Sequence, residues 1–513
     1  MFPSGRYANI CSCHPNCRTI QTHQLCDLTL SSRQWPKRSL SGPRLYDLPV
    51  TGTTEATTVL IMAAGEGTRM RSSLPKVMHP VCGRPMVAWP ILAAREAGAG
   101  RVAVIVSPDR DISPGLPPDT ETVVQPEPDG TGGAIRAALD VIAGSRSVIV
   151  LSGDVPLITA ETIAALLATH RESGAGATVM TVELDDPSGY GRIIRDQSGD
   201  VARIVETKHT DELSPDVLAT KEINSGTYVF EAGPLASAVG ELANDNEAGE
   251  YYLPDVLPIL RDQGLRVAAH IADDENVNLG VNTRADLALV TAKARDQILR
   301  RHMLAGVTVI DPATTWIEAD VEVGADVVVE PGTYLRGATS IADGAAIGPH
   351  ATITDSTVGS GASIIHSHLV EAEVGEGAKV GPFAYLRPGA SIGAGAKIGT
   401  FVEIKNSRIG AGAKVPHLAY VGDADVGAGA NVGAGTITAN YDGKAKHRTK
   451  IGEGARIAVN NSLVAPVEVG DGAYTGAGAV IRADVPPGAL AVTDADQRNI
   501  EGYAKTREHE VEG

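Results

Sequence analysis

From residue 321 to residue 480, a branched aliphatic followed by a small residue returns every six positions for most of the stretch. The series runs Val323, Val329, Leu335, Ile341, Ile347 and Ile353, then Val374, Val380, Leu386, Ile392, Ile398 and Ile404, then Ile451, Ile457, Leu463 and Val469. A helix of 3.6 residues per turn cannot repeat on six, and neither can a strand of period two running on without turns. A triangular coil with one flat side per repeat can. The stretch therefore predicts a parallel β-helix in which each aliphatic points inward and stacks on its copy about 18 residues later. The Gly that follows in Val323-Gly324, Ile347-Gly348 and Ile392-Gly393 is expected to let the corner turn tightly. The phase slips at Val358, Ile409 and Val426, and at such slips a loop is expected to leave the wall. Composition fits a solenoid filled by Val, Ile and Ala, with 57 Gly and only 4% aromatic residues.

The rest of the chain needs at least one more domain, because 513 residues exceed what one core holds. The formal charge, 44 basic minus 62 acidic or −18, argues against a general nucleic-acid binder. No apolar run approaches the roughly 18 residues of a membrane span, so a soluble protein is expected. Cys11, Cys13, Cys17 and Cys26 crowd the first 30 residues beside His14 and His23, but their spacing matches no standard zinc pattern. Residues 1–55 hold few aliphatics and many Arg, Ser, Thr and Pro, so they are expected to be a disordered extension, with translation from near Val50 as an alternative.

Thr58-Val59-Leu60-Ile61-Met62 reads as a buried strand, followed at once by Ala63-Ala64-Gly65-Glu66-Gly67-Thr68-Arg69-Met70 and then Leu74-Pro75-Lys76. A small-residue loop after a strand brings backbone N–H groups close to phosphates, and Arg69 and Lys76 add fixed positive charge. No Gly-Lys-Ser/Thr closes the loop, so it is not a Walker loop. Strands at 102–106 and 147–151 flank a helix expected over Gly132 to Ala143, the rhythm of a doubly wound α/β domain. Asp154 stands just past the carboxyl end of the second of these strands, where such sheets bind ligands. It reads as a magnesium ligand or as a helix cap.

These motifs, in this order, resemble the bifunctional bacterial family that is both an N-acetylglucosamine-1-phosphate uridylyltransferase and a glucosamine-1-phosphate N-acetyltransferase. The resemblance covers residues 58 to about 503. It implies a Rossmann-like nucleotidyltransferase domain over residues 56–285, a linker helix over 286–305, a left-handed parallel β-helix of hexapeptide repeats over 306–503, and a tail over 504–513. It further implies a cytoplasmic homotrimer that acts on small molecules, with neither nucleic acid nor membrane as partner. Mg2+ is the implied cofactor, UTP and acetyl-CoA are the co-substrates, and the product is a cell-wall precursor.

For uridylyl transfer the resemblance assigns Ala63, Gly65, Arg69 and Lys76 to the UTP phosphates, and Gln125, Gly130 and Thr131 to uracil. The family often has His where this chain has Gly133. Asp154 and Asn282 are the implied magnesium ligands; Gly191, Glu206 and Asn224 are the implied sugar contacts. For acetyl transfer, His417 is the implied general base, supported by Glu403. Arg387 and Lys405 would bind the sugar phosphate, Tyr420, Asn431, Asn440 and Tyr441 the sugar, and the backbone at Ala434 the thioester oxygen. Val459 stands where the family usually has a serine that helps bind acetyl-CoA, unless Ser462 substitutes for it. That departure leaves open an enzyme with uridylyl transfer alone, whose β-helix only holds a trimer together. Leu287, Val290, Ala294, Ile298 and Met303 form the expected apolar stripe of the linker helix, and Tyr503 is a candidate stacking partner for adenine.

Overall fold

The computed structural model describes residues 57–207, 213–246, 249–493 and 497–501. The extension with its four cysteines and Tyr503 lie outside the described residues.

The first domain is built on nine strands: β1 (Thr57–Met62), β2 (Arg101–Val106), β3 (Glu121–Val124), β4 (Ser147–Ser152), β5 (Ala177–Glu183), β6 (Arg192–Arg195), β7 (Val201–Val205), β8 (Glu222–Glu231) and β9 (Val267–Ile271). The sheet runs β9-β5-β8-β4-β1-β2-β3, with β6 paired to β8 and to β7. β3, β2, β1 and β4 are parallel, and the long β8 runs antiparallel between β4 and β5. β1 and β4 are near-continuous apolar runs because they lie at the centre with both faces covered. The helix expected from Gly132 to Ala143 is two pieces. Helix α1 (Thr131–Ala137) ends at Ala138, and a short turn covers Leu139–Ile142. Helix α2 (Ala160–Ser173) is capped by Thr159, whose hydroxyl accepts from the Thr162 N–H at 3.2 Å, so Asp154 is not its cap.

Helix α3 (Arg284–Leu304) leaves this domain through a capping box in which Thr283 and Asp286 satisfy each other's backbone N–H groups. Its buried face is Val290, Ala294, Ile298, Leu299 and His302, while Met303 is 39% exposed. The expected stripe therefore drifts by one position in the last turn, where Leu299 and His302 point inward instead.

The solenoid that follows is three parallel sheets of eleven, ten and nine strands, and every third strand in the sequence returns to the same sheet until the last, Leu490–Ala491, which skips one face. Val329, Ile347, Ile364, Val380, Ile398 and Val415 form the inward column of the first face. Leu335, Ile353, Leu369, Leu386, Ile404 and Val421 form that of the second. Of the predicted inward series, Val323 alone is only partly buried.

Two expectations change. Val358, Ile409 and Val426 stay in register in the third column, so their slips are coils one residue short rather than loops. A single left-handed residue closes each tightened corner: Asp355 (φ 48°), Asn406 (φ 44°) and Asp423 (φ 50°). The large excursion is the loop around residues 440–447, which separates Val426 from its neighbour Ile451. Turn geometry demands the glycine only after Ile347, where Gly348 holds φ +108°, and not after Val323 or Ile392. A Cβ on Gly393 would come 2.6 Å from the Ala411 nitrogen, so a side chain there is excluded by the backbone of the next coil.

The hairpin formed by Pro80–Val81 and Arg84–Pro85 joins the two parts. The Ala319 N–H donates to the Cys82 carbonyl at 2.9 Å, Arg84 pairs with Asp320, and Val81, Cys82, α3 and the solenoid axis share one continuous core.

Candidate functional site

At the carboxyl edge of β1 and β4, four residues from three distant stretches meet. Arg69 donates to the Asn282 side-chain oxygen at 2.8 Å, Lys76 donates to the same oxygen at 3.2 Å, and Lys76 is ion-paired with Asp154. The loop is held in place because Gly67 (φ +64°) lies against Lys76, where a Cβ would sit 2.5 Å from the lysine Cβ. The Val281 N–H donates to the Asp154 carbonyl at 2.9 Å, and Asp286 of the capping box accepts from the Asn282 N–H at 3.0 Å. The Asp154 carboxylate and the Asn282 amide oxygen thus both point at the Lys76 ammonium. Two hard oxygens aimed at one cationic point suit Mg2+, which takes one or two protein donors and completes its shell with phosphates and water. Among the described residues no cluster of three or more His, Cys, Asp or Glu offers a closed metal cage.

Gln125 stands just past the end of β3 and is 6% exposed. Gly130 (φ +96°) is required because a Cβ there would lie 2.6 Å from the Tyr251 carbonyl oxygen. The Thr131 hydroxyl accepts from the Leu253 N–H at 2.9 Å, which ties α1 to the segment behind it. Ala63 is buried at the start of the loop, whereas Gly65 meets no atom that a Cβ would touch.

Gly191, Glu206 and Asn224 come together on the far side of β8. The Asn224 N–H donates to the Gly191 carbonyl at 2.9 Å, and a Cβ on Gly191 would sit 3.3 Å from a Glu206 carboxylate oxygen. Sequence reasoning missed Tyr228, whose hydroxyl lies 2.8 Å from the Asn224 amide nitrogen and fixes that side chain. Burial pushes the Tyr228 phenol above its usual range, and Glu206 adds to the shift while the Asn224 contact opposes it. The signal was Asn224-Ser225-Gly226-Thr227: β8 bulges there, with Gly226 at φ +76°, and the bulge turns Asn224 and Tyr228 toward each other.

On the solenoid, Glu403, Tyr420 and Ile437 stack in register on the second face. Arg387 donates to the Glu403 carboxylate at 2.7 Å, so this carboxylate is engaged by arginine and not by His417. His417 ends the strand Lys414–His417 of the first face, beside Thr400 and exposed. Asp423, 5% exposed, accepts from the side-chain amides of Asn406 and Asn440, each at 2.6 Å, and lies 3.9 Å from Lys405. Burial alone would raise its carboxyl, but Asn406, Asn440, Lys405 and Lys446 outweigh burial and hold it below the usual carboxylate range. Asn440 also lies 3.3 Å from the Tyr420 hydroxyl.

Lys446 is the second residue the sequence did not reveal. The 440–447 loop folds back through a bridge between Tyr441 and Lys446, stapled by Asp442, which accepts from the Lys444 and Ala445 N–H groups and pairs with His447 at 2.8 Å. This places the Lys446 ammonium against Lys405, and Lys405 pushes the Lys446 amine below its usual value. Two adjacent ammonium groups with Arg387 nearby make a site for a phosphate dianion. Asn431 projects in register between Lys414 and Arg456. The Ala434 carbonyl accepts from the Asn460 N–H at 2.7 Å, whereas the Ala434 N–H donates to nothing within the described residues. Val459 is 46% exposed at the same corner, beside Asn460. Ser462 lies around that corner, paired with Ile437 on the second face, so its hydroxyl does not take the place of a side chain at 459.

The MobA-like NTP transferase domain matches residues 59–210, and the bacterial transferase hexapeptide of six repeats matches residues 371–406. Fold, sites and both matches define a nucleotidyltransferase joined to a left-handed β-helix transferase. Over most of its length the chain is similar to the bifunctional protein GlmU of Kineococcus radiotolerans, at 50% identity over 451 residues, covering 87% of this chain and 91% of that protein. The same protein of Streptomyces avermitilis is 49% identical over 452 residues (87% and 93%), and that of Mycobacterium tuberculosis 47% over 461 residues (88% and 92%). The chain belongs to the bifunctional GlmU family.

Proposed function

We propose that this chain makes UDP-N-acetylglucosamine in two steps at two separate sites. In the first, the amine of glucosamine-1-phosphate attacks the thioester carbonyl of acetyl-CoA, His417 takes the amine proton, and coenzyme A leaves as the thiol. A placed base of this kind contributes about 10²–10⁴-fold. Arg387, Lys405 and Lys446 hold the sugar phosphate, Tyr420, Asn431, Asn440 and Tyr441 hold the sugar, and the free Ala434 N–H faces the oxygen that gains charge. Glu403 acts by fixing Arg387.

In the second step, a phosphate oxygen of N-acetylglucosamine-1-phosphate attacks the α-phosphorus of UTP and pyrophosphate leaves. Both reactants are anionic, so the site works by neutralising charge and holding the groups in line. Arg69 and Lys76 do this on the phosphates together with the loop from Ala63 to Gly67, while Gln125, Gly130 and Thr131 take the base and Gly191, Glu206 and Asn224 the sugar. Asp154 and Asn282 would hold Mg2+, which supplies further positive charge to the phosphates. The observation that carries this reading is the convergence of Arg69, Lys76, Asp154 and Asn282 on one point. The enzyme works in the cytoplasm, where both co-substrates are made, and as a homotrimer; no helix among the described residues is long and apolar enough to cross a membrane.

The test is a pair of assays on the purified chain: thiol release from acetyl-CoA with glucosamine-1-phosphate, and pyrophosphate release from UTP with N-acetylglucosamine-1-phosphate. The chain should be active in both. Asp154→Asn should nearly abolish the second alone and His417→Ala the first alone. Val459 favours one competing outcome: pyrophosphate release without thiol release, with the β-helix a scaffold.

A further inference from the structure

Gln125 has a neighbour that the function so far leaves idle. Its side-chain nitrogen lies 2.8 Å from a carboxylate oxygen of Asp129 and 3.0 Å from the Gly130 carbonyl. Carboxylate and carbonyl oxygens only accept. An amide held between them must therefore turn its NH2 toward both, which fixes the end that is oxygen. Both amide hydrogens are then spent. What Gln125 presents to the cleft it lines with Ala64, Glu66, Arg110 and Pro128 is its oxygen, an acceptor only.

Asp129 can reach this position because of Gly133. A Cβ at residue 133 would lie 1.9 Å from the nearer Asp129 oxygen and 2.2 Å from its Cγ, so any side chain there displaces the carboxylate. Gly133 sits inside α1, where glycine costs roughly 1 kcal/mol against alanine. The backbone of Asp129 is pinned as well: the Tyr251 N–H donates to its carbonyl at 2.8 Å, and its own N–H donates to the Glu127 carbonyl at 2.9 Å.

We propose that Asp129 is a positioning residue that fixes Gln125 as a pure acceptor toward the nucleotide base, and that Gly133 makes room for it. This deepens the uridylyltransferase reading and rests on it. Uracil offers an N3–H donor beside the O4 carbonyl, and the Gly130 N–H, which donates to nothing within the described residues, is an adjacent donor for such a carbonyl. Cytosine has a bare N3 lone pair and an amine in those places, so the same pair of groups repels it. Without Asp129 the Gly130 carbonyl alone holds the NH2 inward, so inversion costs less and the amide can offer NH2 to cytosine N3.

The test measures kcat/KM for pyrophosphate release from UTP and from CTP, with N-acetylglucosamine-1-phosphate, on the full chain. Asp129→Asn keeps the volume but can donate or accept, which lifts the side-chain half of the constraint and leaves the Gly130 carbonyl. The UTP-to-CTP ratio should fall about tenfold, the scale of one hydrogen bond, while thiol release from acetyl-CoA stays unchanged. Gly133→Ala should lower the ratio by the same route, and the double variant should lower it no further than either alone. Should Asp129→Asn fail to fold, Gly133→Ala decides. An unchanged ratio in a folded variant overturns the proposal while leaving uridylyl transfer intact. If the unmodified chain releases no pyrophosphate from UTP, the uridylyltransferase reading falls and this inference with it.

Discussion

Lys446 shows how much of a site a single side chain can hold out of sight. It lies in a loop rich in Lys, Gly and Ala, and nothing in Asp442-Gly443-Lys444-Ala445-Lys446 separates one lysine from the other. The loop's bridge to Tyr441 makes the difference, because it sets Lys446 against Lys405 in a like-charge contact. A phosphate between them would relieve that contact. Lys446→Ala should therefore raise KM for glucosamine-1-phosphate by about tenfold, as expected for one charge-assisted hydrogen bond, with kcat little changed. Steady-state thiol release measures it, and an unchanged KM would place Lys446 outside the phosphate site. Arg69, Lys76 and Asp154 stood out for the opposite reason: the first two follow β1 in and after a small-residue loop and the third follows β4, places where such a loop or a carboxylate has few structural uses. Tyr228 and Asp129 were not, since the first depends on a bulge and the second on a hydrogen bond that only folding creates.

At the scale of elements, the six-residue period was readable because every coil repeats the same inward demand. The corners were not, because either a single left-handed residue or a longer turn closes them, and local sequence does not distinguish the two. Helix α3 begins two residues before the expected 286–305, and its last turn carries an unexpected buried group. Burial, reinforced by the neighbouring Arg301, lowers the pKa of His302 to about 4. An unfolded chain binds that proton near 6.5. Above 6.5 both states are neutral and the full stability is present; as pH falls from there toward about 4, the unfolded state gains a proton that the fold refuses, and stability is lost. His79, His170 and His270 are lowered in the same direction, so the difference between the chain and a variant isolates His302. The loss attributable to it is at most about 3 kcal/mol. His302→Leu should flatten the fall in thermal midpoint between pH 7 and pH 4.5, and a slope identical to that of the unmodified chain would show that His302 is protonated at little cost.

The whole molecule joins two chemistries through one core, yet leaves a ridge uncovered. Phe383 and Phe401 stack at 5.3 Å on one corner of the solenoid, preceded by His366 and followed by Leu418, which adjoins His417. Their exposures are 48%, 59% and 62% for Phe383, Phe401 and Leu418, and all three hold left-handed backbone that non-glycine residues rarely adopt. A row of large apolar side chains on strained backbone is a poor solvent face and a good contact face. The ridge runs up to His417, the proposed base, so a second copy seated on it would also wall the proposed acetyl-transfer site, whereas the nucleotide cleft lies in the other domain. Phe401→Glu should therefore convert the assembled protein to monomers by light scattering and remove most thiol release. Pyrophosphate release from UTP should persist at close to its original rate. Loss of both activities would mean that assembly supports the nucleotide site as well, and full acetyl transfer by a monomer would mean that one chain supplies everything His417 needs.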